Sequence, residues 1–295
     1  MNMSAHAHSR VRDVFDEIAP SYDRTLEGNK VMNWLRTESL AELESVFPAG
    51  ALLLELGCGT GEEALALSRR GRHVVATDIS SKMIEEAGKK PRRPGSFFPR
   101  WYVAAAGDLE PIAVRYGGQA FDGAFSSFGG LNCEPDLIPV ARWLARLIKP
   151  GGRVVCSIMN KGCLWEVAWF LLHFRPQTAF RRIRSGPVKA PVTFSATRNW
   201  VAVRYYSPGR FAKELTPYFR RCHLRSFPVF LPPPYLERLV SERPRLFRTL
   251  ETWERHFSKR YPWTHWGDHF LMVLERTSAG IVSDEDSSRG PGSLE

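Results

Sequence analysis

The stretch LLLELGCGTGEEALAL, residues 52–67, joins a short apolar run to three closely spaced glycines and then to a helical pattern. A short apolar run bounded by glycines is typical of a buried strand. A glycine-rich turn after such a strand presents bare backbone N–H groups at the start of a helix, where small ligands bind. The glycine spacing and the charges around the loop discriminate between the possible ligands.

The loop has the spacing of neither common nucleotide-binding motif. Gly57, Gly59 and Gly61 give G-x-G-x-G, whereas the dinucleotide fingerprint requires G-x-G-x-x-G and has Glu62 at its third glycine position here. No Gly-Lys-Ser/Thr follows, which excludes a P-loop. Glu55 and Glu62 flank the loop, and their charges would repel a pyrophosphate and attract a cation. The loop therefore favours S-adenosylmethionine (SAM), which carries a sulfonium and an ammonium group.

Strand and helix patterns alternate downstream of this loop. The predicted strands are 51–56, 72–78, 101–108, 121–128 and 152–159, and the predicted helices are 62–70, 80–90 and 135–148. Either Ser80 or Ser81 can cap the second of these helices. Such alternation predicts an α/β fold, a doubly wound and mostly parallel sheet whose ligand lies at the carboxyl ends of the strands.

These motifs together resemble the class I SAM-dependent methyltransferases over residues 11–160. ELGCGTG resembles motif I of that family, and VVATDIS, AAGDLE, FDGAFSSFGGLN and IKPGGRVVCSI follow in the family's order. The resemblance implies a seven-stranded Rossmann-like methyltransferase fold, SAM as cofactor, S-adenosylhomocysteine as product and an enzyme of EC 2.1.1 type. FDEIAPSYD (15–23) resembles the entry motif of quinone-type methyltransferases, in which a tyrosine closes over SAM; Tyr22 is the matching residue.

The resemblance also implies roles for individual residues. Asp78 would accept both ribose hydroxyls, and Asp108, placed at the end of the third strand, would accept the adenine amine. Ser126 would approach the methionine part of the cofactor. The full set of expected cofactor-binding residues is Tyr22, Glu55, Gly57, Cys58, Gly59, Gly61, Asp78, Ile79, Met83, Asp108, Leu109 and Ser126.

Outside the core, the pattern predicts two insertions and two disordered ends. The expected divisions are a disordered 1–10, a SAM-binding core at 11–159, an aromatic and basic cap at 160–206, a return to the core at 207–231, a second cap at 232–265, a closing antiparallel strand at 266–277 and a disordered tail at 278–295. The caps would cover the acceptor, for which Phe128, Asn132, Trp165, Trp169, Tyr205 and Tyr206 are candidate pocket residues. The alternative is that these aromatic side chains form the core of the cap.

A catalytic base is not obligatory for methyl transfer, because the enzyme mainly aligns the acceptor and excludes water. His265 and His269 are candidate bases, since they lie near the closing strand. The acceptor is expected to be a small apolar or aromatic metabolite: a natural product, an isoprenoid or a lipid.

Charge leaves other acceptors and partners open. The chain has a net charge of +10, and residues 173–260 hold 19 Lys/Arg against 5 Asp/Glu. This basic segment suits nucleic acid, an anionic membrane surface or an acidic substrate, or is simply solvated. An RNA methyltransferase is therefore one alternative, although SSFGG lacks the Asn/Asp-Pro-Pro motif used on base amines. A non-catalytic SAM-binding regulator is another.

The five cysteines show no C-x-x-C pair, which argues against a disulfide framework and against a structural zinc site. No apolar run reaches the roughly 20 residues of a membrane span, and the N-terminal residues lack the apolar core of a signal peptide. We therefore expect a cytoplasmic protein that holds no metal.

Overall fold

The computed structural model describes residues 3–192 and 199–278, and a seven-stranded sheet forms its centre. The strands are β1 (Leu52–Leu56), β2 (His73–Asp78), β3 (Arg100–Val103), β4 (Phe121–Ser126), β5 (Ile148–Met159), β6 (Val188–Pro191), β7 (Trp200–Val203), β8 (Phe219–Phe227) and β9 (His269–Arg276). The strand order is β3-β2-β1-β4-β5-β9-β8, with β6 and β7 forming a separate hairpin. The first five strands of the sheet pair in parallel and β9 is antiparallel to both neighbours, which confirms the predicted fold.

Helices cover both faces of this sheet. They are α1 (Met3–Ile18), α2 (Tyr22–Leu26), α3 (Lys30–Val46), α4 (Glu62–Arg69), α5 (Ser81–Lys89), α6 (Glu110–Tyr116), α7 (Leu137–Leu147), α8 (Leu164–Leu172), α9 (Pro176–Ala179), α10 (Pro208–Leu215), α11 (Arg238–Ser241) and α12 (Pro244–Phe257). Successive residues of β1 point to opposite faces: Leu54 and Leu56 pack with α7 and α10, while Leu53 packs with α3 and α4. Each face of the sheet thus has its own apolar core.

Local sequence explains where these helices begin and which side they bury. Ser80 is the N-cap of α5, since its hydroxyl accepts a hydrogen bond from the backbone N–H of Met83 at 3.0 Å. Along α7, Leu137, Val140 and Leu144 recur at helical spacing, and all are buried. The chain therefore returns to the sheet after each helix with its apolar side against the strands.

The structure differs from the sequence predictions at two positions. Residues 3–10 are helical, not disordered, because α1 buries Val11, Val14 and Ile18 and thereby orders the turns before them. The third strand ends at Val103 instead of continuing to Asp108, because the chain turns between Ala105 and Asp108 before α6 begins. The predicted disordered tail lies, except for its first residue, outside the described residues.

The segments predicted as caps pack on one another and on α1. The first segment holds α8, α9, β6 and β7, and the second holds α11 and α12. Tyr235 in the second segment donates from its hydroxyl to Oε2 of Glu166 in the first at 3.0 Å, which joins the two segments. Trp165 donates from Nε1 to the carbonyl of Phe230, just before the second segment, at 2.9 Å. Val14 of α1 packs against Val201 and Val203 of the hairpin. Within residues 3–192 and 199–278, no helix is both long and apolar enough to cross a bilayer.

Candidate active site

The glycine loop lies at the carboxyl end of β1, where the sheet order changes direction between β2 and β4. Gly57, Gly59 and Gly61 have φ angles of 65°, 53° and 77°, a left-handed backbone that favours glycine. A Cβ on Gly61 would lie 2.3 Å from the ring of Trp101. The third glycine therefore allows α4 to pack against β3, while Gly57 and Gly59 line a cavity.

That cavity has a volume of about 820 Å³ and extends from the glycine loop to the hairpin β6–β7. At the loop end it is lined by three buried carboxylates, Glu55, Glu63 and Asp78. Burial raises the pKa of Glu55 well above its usual range, and the charges of Glu63 and Asp78 raise it further. The Oε2 atom of Glu55 has no hydrogen-bond partner in the described part of the chain. Such an arrangement is costly unless a cationic ligand compensates it.

Asp78 is held in place by the backbone around it. Its Oδ2 accepts from the N–H of Gly59 and its Oδ1 from the N–H of Ser80, each at 2.8 Å. Burial nevertheless raises the pKa of Asp78 to about 6, against the lowering effect of those two donors. Its neighbours Ile79 and Met83 also line the cavity.

Arg36 on α3 supplies a positive charge at the acidic end of the cavity. Its Nε lies 3.3 Å from Oε1 of Glu63, and both residues line the cavity. Burial raises the pKa of Glu63, and the Arg36 charge opposes that rise. No motif in the sequence marks Arg36, because only the packing of α3 against α4 brings it to the loop.

The two N-terminal helices cover the cavity. Tyr22 lies over the loop, with its ring 4.0 Å from the position of a Cβ on Gly59, and burial raises its pKa to about 12. Thr60 donates from its hydroxyl to Asp23 at 2.6 Å, which ties α2 to the loop. On α1, His8 Nε2 lies 2.9 Å from Glu134 Oε2, and this hydrogen bond raises the pKa of His8.

Four of the expected cofactor residues lie elsewhere. Asp108 is exposed in the turn before α6, because β3 ends five residues earlier. Leu109 is buried in the core and Gly61 packs on Trp101. Ser126 is buried below the cavity, where its Oγ lies near Gly130. The other eight expected residues all line the cavity.

The far end of the cavity is apolar. Tyr205, an expected pocket residue, lines it together with Met159, Val201 and Val203, and Phe128, also expected, lines the cavity as well. The aromatic ring of Tyr205 also faces the guanidinium carbon of Arg182 at 4.8 Å. Two of the six expected pocket residues therefore line the cavity.

The remaining expected pocket residues have structural contacts and do not line the cavity. Asn132 donates from its amide to the carbonyls of Met159 and Arg204, at 3.2 and 2.6 Å. Trp169 stacks on His173, and Tyr206 packs in the sheet core against Phe211. Trp165 bonds Phe230 as described. The alternative, in which aromatic side chains form the core of the cap, agrees with the contact of Trp165, whereas Tyr206 lies in the core of the sheet.

Two arginines of the basic segment, Arg181 and Arg182, are already paired within the protein. Arg181 donates to Glu166 from Nε at 2.7 Å and from Nη2 at 3.1 Å. Arg182 donates from Nη2 to Glu166 and to Asp268, each at 2.6 Å. Two arginines and two carboxylates balance each other, and the two arginine charges hold the pKa of Glu166 below its usual value despite burial. This cluster closes the apolar end of the cavity without a net charge.

The two candidate bases have different surroundings. His265 is exposed and does not line the cavity. His269 lines the cavity, and its Nδ1 lies 2.9 Å from Oδ2 of Asp268. The Arg182 charge, with the hydrogen bond from His269, holds the pKa of Asp268 far below its usual value against the effect of burial. An ionised carboxylate beside Nδ1 favours the imidazole tautomer that carries its proton there, which leaves Nε2 able to accept one.

The sequence also has recognisable relatives. Residues 54–156 match the model of a methyltransferase domain family. The chain is 35% identical over 150 residues to a demethylmenaquinone methyltransferase of Clavibacter sepedonicus, covering 50% of this chain and 56% of that protein. It is 34% identical over 131 residues to a malonyl-[acyl-carrier protein] O-methyltransferase of Erwinia pyrifoliae, covering 43% of this chain and 45% of that protein. The chain thus matches about half the length of these curated relatives.

Solved structures show the same fold over a longer part of the chain. The CcbJ methyltransferase from Streptomyces caelestis superimposes with a TM-score of 0.59, covering 89% of this chain and 97% of that one at 16% sequence identity. A likeness at this identity concerns the fold alone. Motif I, the strand order and the matched family model agree with one another, and residues 54–156 are therefore a class I SAM-dependent methyltransferase domain.

Proposed function

We propose that this protein transfers a methyl group from SAM to a small, neutral, apolar or aromatic acceptor. The observation that carries the proposal is one continuous cavity with two unlike ends, acidic at the glycine loop and apolar beside the hairpin β6–β7. Its volume of about 820 Å³ is near the upper end of the range for small-molecule sites, which suits a cofactor and an acceptor together. The two relatives named above carry the names of enzymes that methylate a quinone precursor and a carrier-bound acid.

The polar atoms at the acidic end of the cavity are suited to the charged groups and the ribose of SAM. Glu55, buried and unpartnered at Oε2, would hold the ammonium group, and Arg36 would hold the carboxylate. Asp78 would accept the ribose hydroxyls, and Ile79 and Met83 would pack on the adenine. When bound, SAM supplies an electrophilic methyl group, and the protein residues position the acceptor and exclude water.

The apolar end favours a neutral acceptor. Because Arg181 and Arg182 are satisfied by Glu166 and Asp268, they do not offer a free positive charge to a phosphate or carboxylate. Phe128 and Tyr205 instead offer flat apolar surfaces, on which an aromatic ring or an isoprenoid chain packs well.

His269 is our candidate general base, and Asp268 its positioning residue. An acceptor hydroxyl that loses its proton during transfer needs a base in the cavity, and among the histidines within the described residues His8 and His269 line it. His8 is bonded to Glu134 near the loop end, whereas His269 lies beside the acidic–basic cluster at the acceptor end. His269→Gln should lower kcat and change its pH profile while leaving the Kd for SAM within about twofold; His265→Gln is the matched control.

The reaction is tested by incubating the protein with methyl-labelled SAM and extracts, followed by mass spectrometry of the small-molecule, RNA and protein fractions. Label in the organic-soluble fraction, absent with the Asp78→Asn variant, supports the proposal. Label in RNA would support the nucleic-acid alternative, and SAM binding with no transfer to any fraction would support a regulator. All five cysteines are free thiols, which supports placing this activity in the cytoplasm.

A further inference from the structure

Helix α8 has its charged side chain inside the protein and its apolar side chains outside. Within LWEVAWFLL, residues 164–172, the one fully buried residue is Glu166, bonded to the two arginines of the cap. Leu171 is 43% exposed and Leu172 is 76% exposed. This is the reverse of the usual arrangement for a surface helix, in which the apolar stripe faces the core.

The chain beyond α8 continues this exposed apolar surface. Phe174 is 93% exposed and has a φ of 55°, a left-handed conformation that is rare for a bulky residue. Phe180 and Ile183, on either side of the next turn, are 45% and 57% exposed. We call Leu171, Leu172, Phe174, Phe180 and Ile183 the apolar tip.

Positive charge surrounds the apolar tip, and negative charge is absent from its stretch of sequence. No Asp or Glu occurs between Glu166 and Glu214. Arg175 and Arg184 are exposed, and neither takes part in an ion pair among the described residues. Exposed leucine and phenylalanine flanked by unpaired arginine is the combination that binds an anionic lipid surface, since the rings enter the acyl boundary and the guanidinium groups meet the headgroups.

We propose that the apolar tip docks this protein on the surface of an anionic lipid bilayer. The charge complementarity selects a bilayer over a second copy of the chain, because two copies meeting at this tip would bring like charges together. Phe170, the residue before the tip, lines the apolar end of the cavity. An apolar acceptor could then enter the cavity from the bilayer past Phe170. This route rests on the proposed function, whereas the docking itself does not depend on it.

The test is co-sedimentation of the full protein with vesicles of phosphatidylcholine alone and with vesicles that also contain phosphatidylglycerol. We expect binding to the anionic vesicles, weakened by salt because the headgroup contacts are screened. Leu172→Ser combined with Phe174→Ser should weaken binding about tenfold or more, since two exposed apolar side chains no longer insert. Arg175→Ala should weaken it about fivefold.

Matched variants keep the result specific. Val114 on α6 is 81% exposed, and Val114→Ser should leave vesicle binding unchanged. Arg93→Ala is the corresponding control for charge. Failure of the wild-type protein to bind anionic vesicles, or equal binding by the double serine variant, would overturn the proposal. The proposal would also be overturned if sedimentation velocity showed a dimer of the wild-type protein and a monomer of the double serine variant. Calorimetry should show unchanged SAM binding by the same variants. A variant that loses both SAM binding and vesicle binding would contradict the separation of the apolar tip from the SAM site.

Discussion

Asp78 offers a test in which ligand binding and stability move in opposite directions. Its carboxylate is buried at the end of β2, and its pKa is raised from 3.8 to about 6, chiefly by burial. A group that binds its proton more tightly in the folded state than in the unfolded state adds stability as the pH falls. Above pH 6 the ionised carboxylate therefore costs roughly 3 kcal/mol, which is about two pKa units at 1.36 kcal/mol each.

Asp78→Asn removes that buried charge but places an amide N–H₂ against one of the two backbone donors, Gly59 or Ser80. The lost acceptor costs about 1–3 kcal/mol, so at pH 7.5 the variant without ligand should be at least as stable as the wild-type protein. Between pH 7.5 and pH 5 the wild-type protein should gain stability relative to the variant, because its Asp78 takes up a proton.

SAM binding should fall in the same variant. At least one charge-assisted bond to a ribose hydroxyl is lost, which corresponds to a Kd about 10- to 100-fold higher. A ligand at about 100 times its Kd stabilises a protein by about 2.7 kcal/mol, and a hundredfold weaker ligand at the same concentration stabilises it by about 0.4 kcal/mol. Denaturant melts with and without SAM measure both quantities.

Asp122→Asn is the matched control for this experiment. Asp122 also accepts from a backbone N–H, that of Leu52 at 2.8 Å, but it lies outside the cavity and pairs with Lys149. Its pKa is lowered by Lys149 and Leu52 against the effect of burial, so its loss should destabilise the protein above pH 4 and leave the SAM-induced stabilisation intact. Both parts of the prediction would be refuted by an Asp78→Asn variant that at pH 7.5 is clearly less stable than the wild-type protein without ligand and is still fully stabilised by SAM.

Three further predictions concern the glycine loop and the carboxylates beside it. Glu55→Gln should raise the Kd for SAM about tenfold or more without lowering the stability of the ligand-free protein, because Oε2 has no partner to lose; calorimetry and melts check both. The Kd for SAM should rise as the pH is lowered through about 6, where Asp78 takes up its proton, and this part of the pH dependence should be missing in Asp78→Asn. Gly61→Ala should lower the free energy of unfolding by about 2 kcal/mol or more, since the methyl group meets Trp101, whereas Gly95→Ala, at the same φ of 77° with open space around it, should cost about 1 kcal/mol. Equal losses in the two alanine variants would argue against the packing role of Gly61.

The acidic end of the cavity could be predicted from the sequence because its determinants are local. Glu55, Gly57, Gly59 and Asp78 each lie at or just beyond the end of a strand, and parallel strands bring their carboxyl ends together whatever else the chain does. Asp108 is less determined by its local sequence, because β3 ends five residues before it and leaves its side chain exposed in the turn, outside the set that lines the cavity.

The acceptor half depends on contacts between residues that are distant in sequence. Trp165 and Tyr205 occur in the same aromatic segment, and composition alone does not distinguish them. Trp165 bonds Phe230, 65 residues away, whereas Tyr205 lines the cavity beside Arg182. Only the packing of the two caps separates the residues that build the cap from those that line the cavity.

Folding decides which basic residues of the sequence keep an exposed, unpaired charge. By sequence, Arg181, Arg182 and Arg184 form one cationic run, equally suited to a phosphate or to a membrane. Folding buries Glu166 from α8 beneath the first two and thereby neutralises them, while Arg184 stays exposed next to Ile183. The same contact that turns the glutamate inward turns Leu171 and Leu172 outward on the helix. The ion pairs of Glu166 therefore leave the apolar end of the cavity without a net charge and turn two residues of the apolar tip outward, so the proposed neutral acceptor and the proposed lipid-facing surface depend on the same buried carboxylate.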